Sequence, residues 1–363
     1  PDTVIDFNKD LTVLVGQNGS GKSNIIDLIR FLADSMKLGL EGAITKRHGI
    51  KALRRWSSGH PLILKIRIEV KNHNIIGSYE FEITSHKKHE YIVKNEKANV
   101  IIGNEHHQYS VINQKWKDKP KGLNPSLSPL NLALPLISGD ERFKPLHESL
   151  KNMAVYHIFP ETLRTPQKYD PNKPMEEFGK NWVSILKDQN IASWKPELLN
   201  ALGKLTGEID DIDLQQVSGY LLARFRHGQI GTTNKSKWFE ASQESDGTLR
   251  IAGIISALLQ EPALSVIGIE EPELTIHPGA IPLIFDYINQ AVLRSQVILT
   301  THSPELLDCV KTEHVRVVEK KNYITTVSKM SDDQVEAVKN GLLTLGEIHR
   351  NQGLLSEQLS MSF

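Results

Sequence analysis

Leu62, Leu64, Ile66, Ile68 and Val70 alternate with Lys65, Arg67 and Glu69. A period of two puts the apolar side chains on one face, so Leu62–Val70 predicts a half-buried strand. Ile75–Thr84, Glu90–Lys94, Asn99–Gly103 and Tyr109–Asn113 extend it into an antiparallel meander with polar turns. Val4–Phe7 and Leu11–Val15 are short β-type runs. After a glycine-rich turn, Ile25, Ile26, Leu28, Ile29 and Leu32 recur at helical spacing within Asn24–Met36. Residues 39–60 read as an irregular insertion and Lys115–Pro129 as a loop. Leu130–Ile137 and Pro145–Met153 predict helices, and Ala154–Phe159 a strand. The Pro-rich, polar stretch 165–176 reads as a linker or surface loop. Helical pieces at 176–188 and 196–205 precede a strand pair, Ile209–Val217 and Tyr220–Arg226. Thr248–Leu259 and Pro278–Val292 predict helices, each leading to a buried strand, Leu264–Ile269 and Val297–Thr300. His314–Glu319 and Tyr323–Ser328 form a closing hairpin, and the tail from Ser331 is polar and helical.

Composition narrows the classes. The chain has 363 residues, 39% of them hydrophobic, enough for a substantial core in one large or two ordinary domains. Lys+Arg and Asp+Glu are both 43, which argues against a dedicated polyanion binder. Cys309 is the one cysteine, which excludes a disulfide scaffold and a cysteine-rich metal site. The best membrane-span candidate, Ile251–Ile269, is broken by Gln260, Glu261 and Pro262. With no signal peptide in view, a cytoplasmic protein is expected. The chain opens at Pro1, without Met and almost in a strand, so further residues are expected ahead of it.

Gly16-Gln17-Asn18-Gly19-Ser20-Gly21-Lys22-Ser23 fits the Walker A pattern G-x-x-x-x-G-K-[ST]. A strand precedes it and an amphipathic helix follows, as a phosphate loop requires. The glycines, Gly19 and Gly21 among them, let backbone N–H groups curl around phosphate, with Asn18 and Ser20 in the same binding loop, and the helix N-terminus adds positive charge. Lys22 reaches the β- and γ-phosphates of ATP, and Ser23 holds Mg²⁺.

The apolar strand Leu264–Ile269 ends in Glu270-Glu271-Pro272-Glu273. Ligands of α/β sheets bind at such carboxyl ends. Glu270 is placed to contact Mg²⁺ and Glu271 to polarise an attacking water, as in a Walker B element. Ser245-Asp246-Gly247-Thr248-Leu249-Arg250 opens the helix before that strand. Its Ser245 is an ordinary N-cap or, with Gly247, a second phosphate clamp. His302, in Thr300-Thr301-His302-Ser303-Pro304, stands at a strand end where it can sense a γ-phosphate.

The order of Walker A, Ser245–Arg250, Ile269–Pro278 and Leu299–Leu307 resembles the ABC-type ATPase heads of the SMC, RecF and OLD group. It is most similar to the bacterial AAA family ATPases of phage-defence systems. The resemblance runs through most of the chain, including the meander near Leu53-Arg54-Arg55 and the tail Leu343–Glu347. It implies an α/β fold: a P-loop NTPase head with mixed sheet, antiparallel β lobe and helical lid. It also implies a head-to-tail homodimer or higher even oligomer. Each ATP then lies between the Walker elements of one chain and Ser245 and Gly247 of the other, with His302 as switch histidine and His277 reaching across. Glu270 stands where Asp is usual. Gln108 and Gln114 are the candidates for the Q-loop glutamine. The long coiled coil of SMC proteins is missing.

The expected organisation is a nucleotide-binding lobe at 1–160, a helical lid at 161–240, a signature and Walker B lobe at 241–330, and a tail at 331–363. The expected activity is slow ATP hydrolysis that switches a separate effector protein, with the exposed tail as a docking element and antiviral defence as the setting. DNA repair or chromosome surveillance, an OLD-like nuclease component and a non-hydrolysing ATP-bound scaffold are the alternatives. Lys46, Arg47, Lys51, Arg54 and Arg55 read as a DNA contact or as an ion-paired loop. His86–His89 and His106-His107 read as surface turns, because neighbours on a strand face opposite ways.

Overall fold

The computed structural model describes residues 3–53, 63–85, 90–228 and 237–357. The chain begins with β1 (Leu11–Val15), α1 (Lys22–Lys37), α2 (Gly39–Thr45) and α3 (Ile50–Leu53). Five strands follow: β2 (Ile63–Lys71), β3 (Ile76–Thr84), β4 (Ile92–Ile102), β5 (Glu105–Ile112) and β6 (Lys115–Asp118). Then come α4 (Ala133–Leu136), α5 (Lys144–Lys151), β7 (Met153–Tyr156), α6 (Pro160–Arg164) and β8 (Gln167–Lys168). Next are α7 (Trp182–Asp188), α8 (Ile191–Thr206), β9 (Ile209–Val217), β10 (Tyr220–His227) and β11 (Lys237–Glu240). The last part holds α9 (Asp246–Leu259), β12 (Val266–Glu270), α10 (Ile281–Ala291), β13 (Gln296–Thr300) and α11 (Pro304–Leu307). The chain closes with β14 (Val315–Lys321), β15 (Ile324–Ser328), α12 (Asp332–Lys339) and α13 (Leu345–Asn351). Two compact units result: Pro1–Asp27 with Ala154–Phe363, and Leu28–Met153.

In the unit Leu28–Met153, β2 to β6 form an antiparallel sheet in sequence order. The alternation in β2 is realised: Ile66 is buried and Lys65, Arg67 and Glu69 are exposed. The runs Glu90–Lys94 and Asn99–Gly103 are not separate strands. They are the two ends of the single strand β4, whose middle hides a carboxylate. Glu96 is 1% exposed. It accepts hydrogen bonds from Tyr79 Oη (2.9 Å), Tyr109 Oη (2.7 Å), Ala133 N (2.6 Å) and Leu134 N (2.9 Å). Four donors compensate its burial, and a charged residue on the inner face breaks the apolar pattern. The stretch 39–53 is helical rather than irregular, with α2 and α3. The predicted loop Lys115–Pro129 contains β6, and the helix expected at Leu130–Ile137 shortens to α4.

The other unit is built on a six-stranded sheet of order β15-β14-β1-β13-β12-β7. β1 runs parallel to both β13 and β14, and β12 runs parallel to β13; β14 and β15 are an antiparallel hairpin, so the sheet is mixed. β1, β12 and β13 are apolar and buried along nearly their whole length, as strands covered on both faces are. Val4–Phe7 forms no strand; Val4 is exposed, and the Asp6 carbonyl accepts from Arg316 Nε at 2.9 Å instead. α9 is buried from Thr248 to Leu258, so it is apolar all round. A second sheet pairs β10 with β9, β11 and β8, all antiparallel. α8 begins at Ile191 under an Asn190 cap, ahead of the expected 196–205, and carries Pro196 inside it.

The segment after Ser331 is folded back, contrary to the exposed tail expected. Ser331 N donates to Leu355 O at 2.9 Å, and Met330 bridges to Ser356. Leu345 and Ile348 are buried. Ser331, Gln334 and Ser356 are buried with them, so the segment's polar composition conceals that packing in the sequence. Among the described residues no helix is long and apolar enough to cross a membrane.

Candidate active site

The register of the parallel strands builds the site. Thr300 of β13 pairs with Leu14 of β1 on one side and Glu270 of β12 on the other. The Walker A loop, the carboxylates and the His302 loop therefore leave the sheet side by side, at the carboxyl ends where α/β sheets bind ligands.

The loop Gly16–Gly21 is cradled by the β14–β15 hairpin. A Cβ on Gly16 would stand 2.1 Å from the Val318 carbonyl oxygen. One on Gly21, whose φ is +113°, would stand 2.4 Å from Thr325 Oγ1. Thr325 Oγ1 also donates to the Ser20 carbonyl at 2.9 Å. Only glycine lets the chain pass so close to the hairpin. Asn18 and Gly19 are exposed at the loop's tip, and Ser20 is buried. Lys22 is buried and curls its ammonium back onto the loop, donating to Gly16 O (2.8 Å) and Gln17 O (3.2 Å). Ser23 is exposed in the first turn of α1. A loop with residues 17–19 exposed at a 16-residue helix N-terminus, with a lysine bent over it, fits a nucleotide phosphate chain.

β12 ends at Glu270, and Glu271 turns into a left-handed conformation with φ 45°. That conformation is costly for a side chain with a Cβ. Glu271 N is held by the Thr300 carbonyl at 3.0 Å, which fixes the turn across the two strand ends. Glu273 then reaches the neighbouring loop. Its Oε1 accepts from Thr301 Oγ1 (2.7 Å), His302 N (3.0 Å) and Ser303 N (3.2 Å). Glu273 was read only as part of an acidic cluster, and its bonds make it the anchor of the His302 loop.

Charge ties the three motifs together. Burial pulls the Lys22 ammonium below its ordinary value, and Glu271 opposes the shift. Burial also depresses the His302 imidazole, with the Lys22 charge second and Glu271 opposing. Lys22, Glu271 and His302 thus lie within electrostatic reach of one another, and the imidazole is half-buried.

Ser245 is the N-cap of α9; its Oγ accepts from Thr248 N at 3.2 Å and lies 2.8 Å from Thr248 Oγ1. Ser245 and Asp246 are exposed, and a Cβ on Gly247 would stand 3.2 Å from the Thr275 carbonyl. The N-cap role is therefore realised, and the exposed end of α9 lies against the loop after the carboxylates. Two arginines set this helix. Arg250, 2% exposed, donates to the carbonyls of Ile158 (2.5 Å) and Glu271 (2.8 Å). Arg164 pairs with Asp246 and donates to the Glu244 carbonyl at 2.9 Å. His277 Nδ1 accepts from Gly279 N at 3.1 Å on an exposed turn.

Gln108 and Gln114 belong to the antiparallel sheet of Leu28–Met153, where Gln108 bonds Asp118 (2.7 Å) and Gln114 bonds the Val93 carbonyl (3.0 Å). Lys46 and Arg47 pair with Asp34 at 3.1 and 2.9 Å, the ion-paired alternative for that basic run. His106 is exposed on β5, and His107 pairs with Glu105 at 3.2 Å. Arg54, Arg55 and His86–His89 lie outside the described residues. Among the described residues no group of three or more His, Cys, Asp and Glu side chains is placed to hold a metal ion.

Comparison with solved structures finds the same fold. An SMC head bound to the C-terminal winged-helix domain of ScpA aligns over 92% of this chain and 94% of its own, at 14% identity and a TM-score of 0.50. The SMC head domain from Thermotoga maritima aligns over 91% and 93%, at 13% identity and a TM-score of 0.41. An Smc head with coiled coil and joint from Pyrococcus yayanosii aligns over 94% and 96%, at 12% identity and a TM-score of 0.46. At 14% identity the likeness to the first of these is one of fold. No curated protein matches the chain. Residues 11–308 match the family described as "AAA domain, putative AbiEii toxin, Type IV TA system". That span runs from the first residue of β1 through the His302 loop, and the chain belongs to this AAA-domain family, with the fold of an ABC-type SMC ATPase head.

Proposed function

We propose that the chain binds ATP with Mg²⁺ and hydrolyses it slowly at the interface of a head-to-tail homodimer. The observation that carries this reading is the side-by-side exit of the Lys22, Glu271 and His302 segments from three neighbouring parallel strands. Backbone N–H groups of 18–23 and the Lys22 ammonium hold the phosphates. Ser23 and Glu270 would hold Mg²⁺, which when bound neutralises phosphate charge. Glu271 orients and polarises the attacking water, and His302 donates a hydrogen bond to the γ-phosphate.

The exposed α9 N-terminus supports the second half of the site. Ser245 and Gly247 then close on the γ-phosphate of the partner's ATP, in an isologous dimer that forms two such sites. Opening and closing switches a separate effector protein. The family description, with its toxin of a toxin–antitoxin system, supports a defence setting for that switch.

The test is nucleotide titration of the wild type and Lys22→Ala. Wild-type binding in the micromolar range and its loss in Lys22→Ala are expected, because the phosphates lose their main point charge. Equal affinity for both would refute the Walker A assignment. Co-purification with neighbouring gene products tests the effector.

A further inference from the structure

Glu244 stands immediately before Ser245, and the ATPase reading gives its side chain no role. That side chain is only 6% exposed. A carboxylate so buried needs a donor. His227, the last residue of β10, supplies it: Nε2 lies 2.8 Å from Glu244 Oε1. Carboxylate oxygens only accept, so Nε2 carries the proton and donates. The other ring nitrogen faces Glu208 Oε2 at 3.4 Å, and Phe239 meets the imidazole edge-on with ring centroids 4.9 Å apart. Glu208 and Phe239 thus set the ring that holds Glu244.

The contact joins the end of one element to the start of another. β11 pairs with β10, with Lys237 opposite His227. A short turn, Ala241–Gln243, then closes under a reciprocal bond pair between Glu240 and Gln243 and delivers the chain to Glu244. The main chain there is held as well, because the Glu244 carbonyl accepts from Arg164 at 2.9 Å. Glu244 is therefore tied by its carboxylate to β10 and by its carbonyl to α6. The N-terminus of α9 is left to Ser245, whose Oγ accepts from Thr248 N. A helix N-terminus attracts anions. A Glu244 carboxylate without His227 would be drawn to that end, one residue away, and would repel a phosphate arriving from outside.

We propose that His227 is a positioning residue of the second half of the ATP site: it holds the Glu244 carboxylate on the β10 side, so that the exposed end of α9 stays open to the γ-phosphate of the partner's ATP. This rests on the head-to-tail dimer proposed above. His227 acts through Glu244 and touches neither nucleotide nor phosphate loop. Its loss weakens ATP-driven closure and spares the affinity of the single head. It also ties the sheet of β8 to β11 to the clamp: a shift of the β10 end that parts His227 from Glu244 closes the α9 end to phosphate.

The experiment uses the full chain and a non-hydrolysable ATP analogue. It measures the protein concentration that gives half-maximal dimer by light scattering, the analogue's affinity for the single head, and the thermal midpoint. The proteins are wild type, His227→Leu, Glu244→Gln and the double variant His227→Leu/Glu244→Gln. His227→Leu is expected to raise the half-point roughly tenfold, the equivalent of one hydrogen bond to a charged group, with single-head affinity within about twofold. The double variant still lacks the imidazole but carries no freed carboxylate, and is expected to return to within about threefold of wild type, as Glu244→Gln alone does. Should His227→Leu not fold, His227→Asn, too short to reach Glu244, is read in its place. A wild-type half-point in the His227 variant would overturn this proposal alone. So would a loss that persists in full in the double variant, since the imidazole would then serve only as bulk. A wild type that binds the analogue and never dimerises would overturn the dimer reading and this proposal together.

Discussion

The buried guanidinium of Arg250 donates to the main-chain carbonyl of Glu271 at 2.8 Å, so one side chain ties the start of α9 to the carboxylate turn. Glu271 leaves the sheet with positive φ, and Arg250 holds its carbonyl while Thr300 holds its N–H. Arg250→Met keeps the bulk and removes both carbonyl partners. A loss of about 2–5 kcal/mol is expected, from two buried acceptors left unpaired. Urea denaturation measures it, and an unchanged midpoint would show the contact to be unimportant.

Gly16 and Gly19 separate space from conformation in the phosphate loop. A Cβ on Gly16 meets the Val318 carbonyl at 2.1 Å, whereas one on Gly19 meets nothing within 4 Å. Gly19→Ala is strained only by its φ of +77°, a cost of about 1–2 kcal/mol. Gly16→Ala must displace β14. Nucleotide titration is expected to show Gly16→Ala losing well over tenfold in affinity and Gly19→Ala losing less. The reverse order would contradict the cradle.

Acid should weaken the fold through its depressed histidines. Burial holds His302, His349 and His147 below 6.5 in the folded chain. Each binds fewer protons folded than unfolded, so its contribution is present above the unfolded pKa and fades as pH falls below about 6.5. Urea midpoints should drop between pH 7.5 and 5.5, and by less in His302→Asn/His349→Asn. An identical pH slope in that double variant would contradict the assignment.

Ser245→Arg probes the dimer without touching the chain's own phosphate loop. Ser245 is exposed, so the substitution puts bulk and a cation where a partner's ATP would dock. Nucleotide affinity of the single head should persist while the ATP-dependent rise in light scattering disappears. Scattering that still rises with ATP would argue against closure over α9.

Features written within one stretch of chain were legible in the sequence. The Walker A loop, the acids after Ile269 and His302 each sit beside the strand that positions them. The parallel register then brings them together. Long-range contacts were not legible. Thr325 supports Ser20 from far along the chain, and its hydroxyl explains Gly21 only once β15 is in place. Glu96 interrupted the pattern of β4 because an inward carboxylate reads as a break until its four donors are known. Arg250 was quoted within a motif, but nothing local indicates a buried guanidinium between two carbonyls. The segment after Ser331 has a polar composition, which hides α13 with its buried Leu345 and Ile348.

Phosphate release by Glu271→Gln, with ATP binding followed on the same sample, tests the central claim most directly. The amide keeps the shape of the side chain and loses the base. The account expects ATP to bind as in the wild type, release to fall by about a hundredfold or more, and light scattering to report a dimer trapped by uncleaved ATP. Release at the wild-type rate with ATP bound would contradict it, because Glu271 would then have no part in hydrolysis.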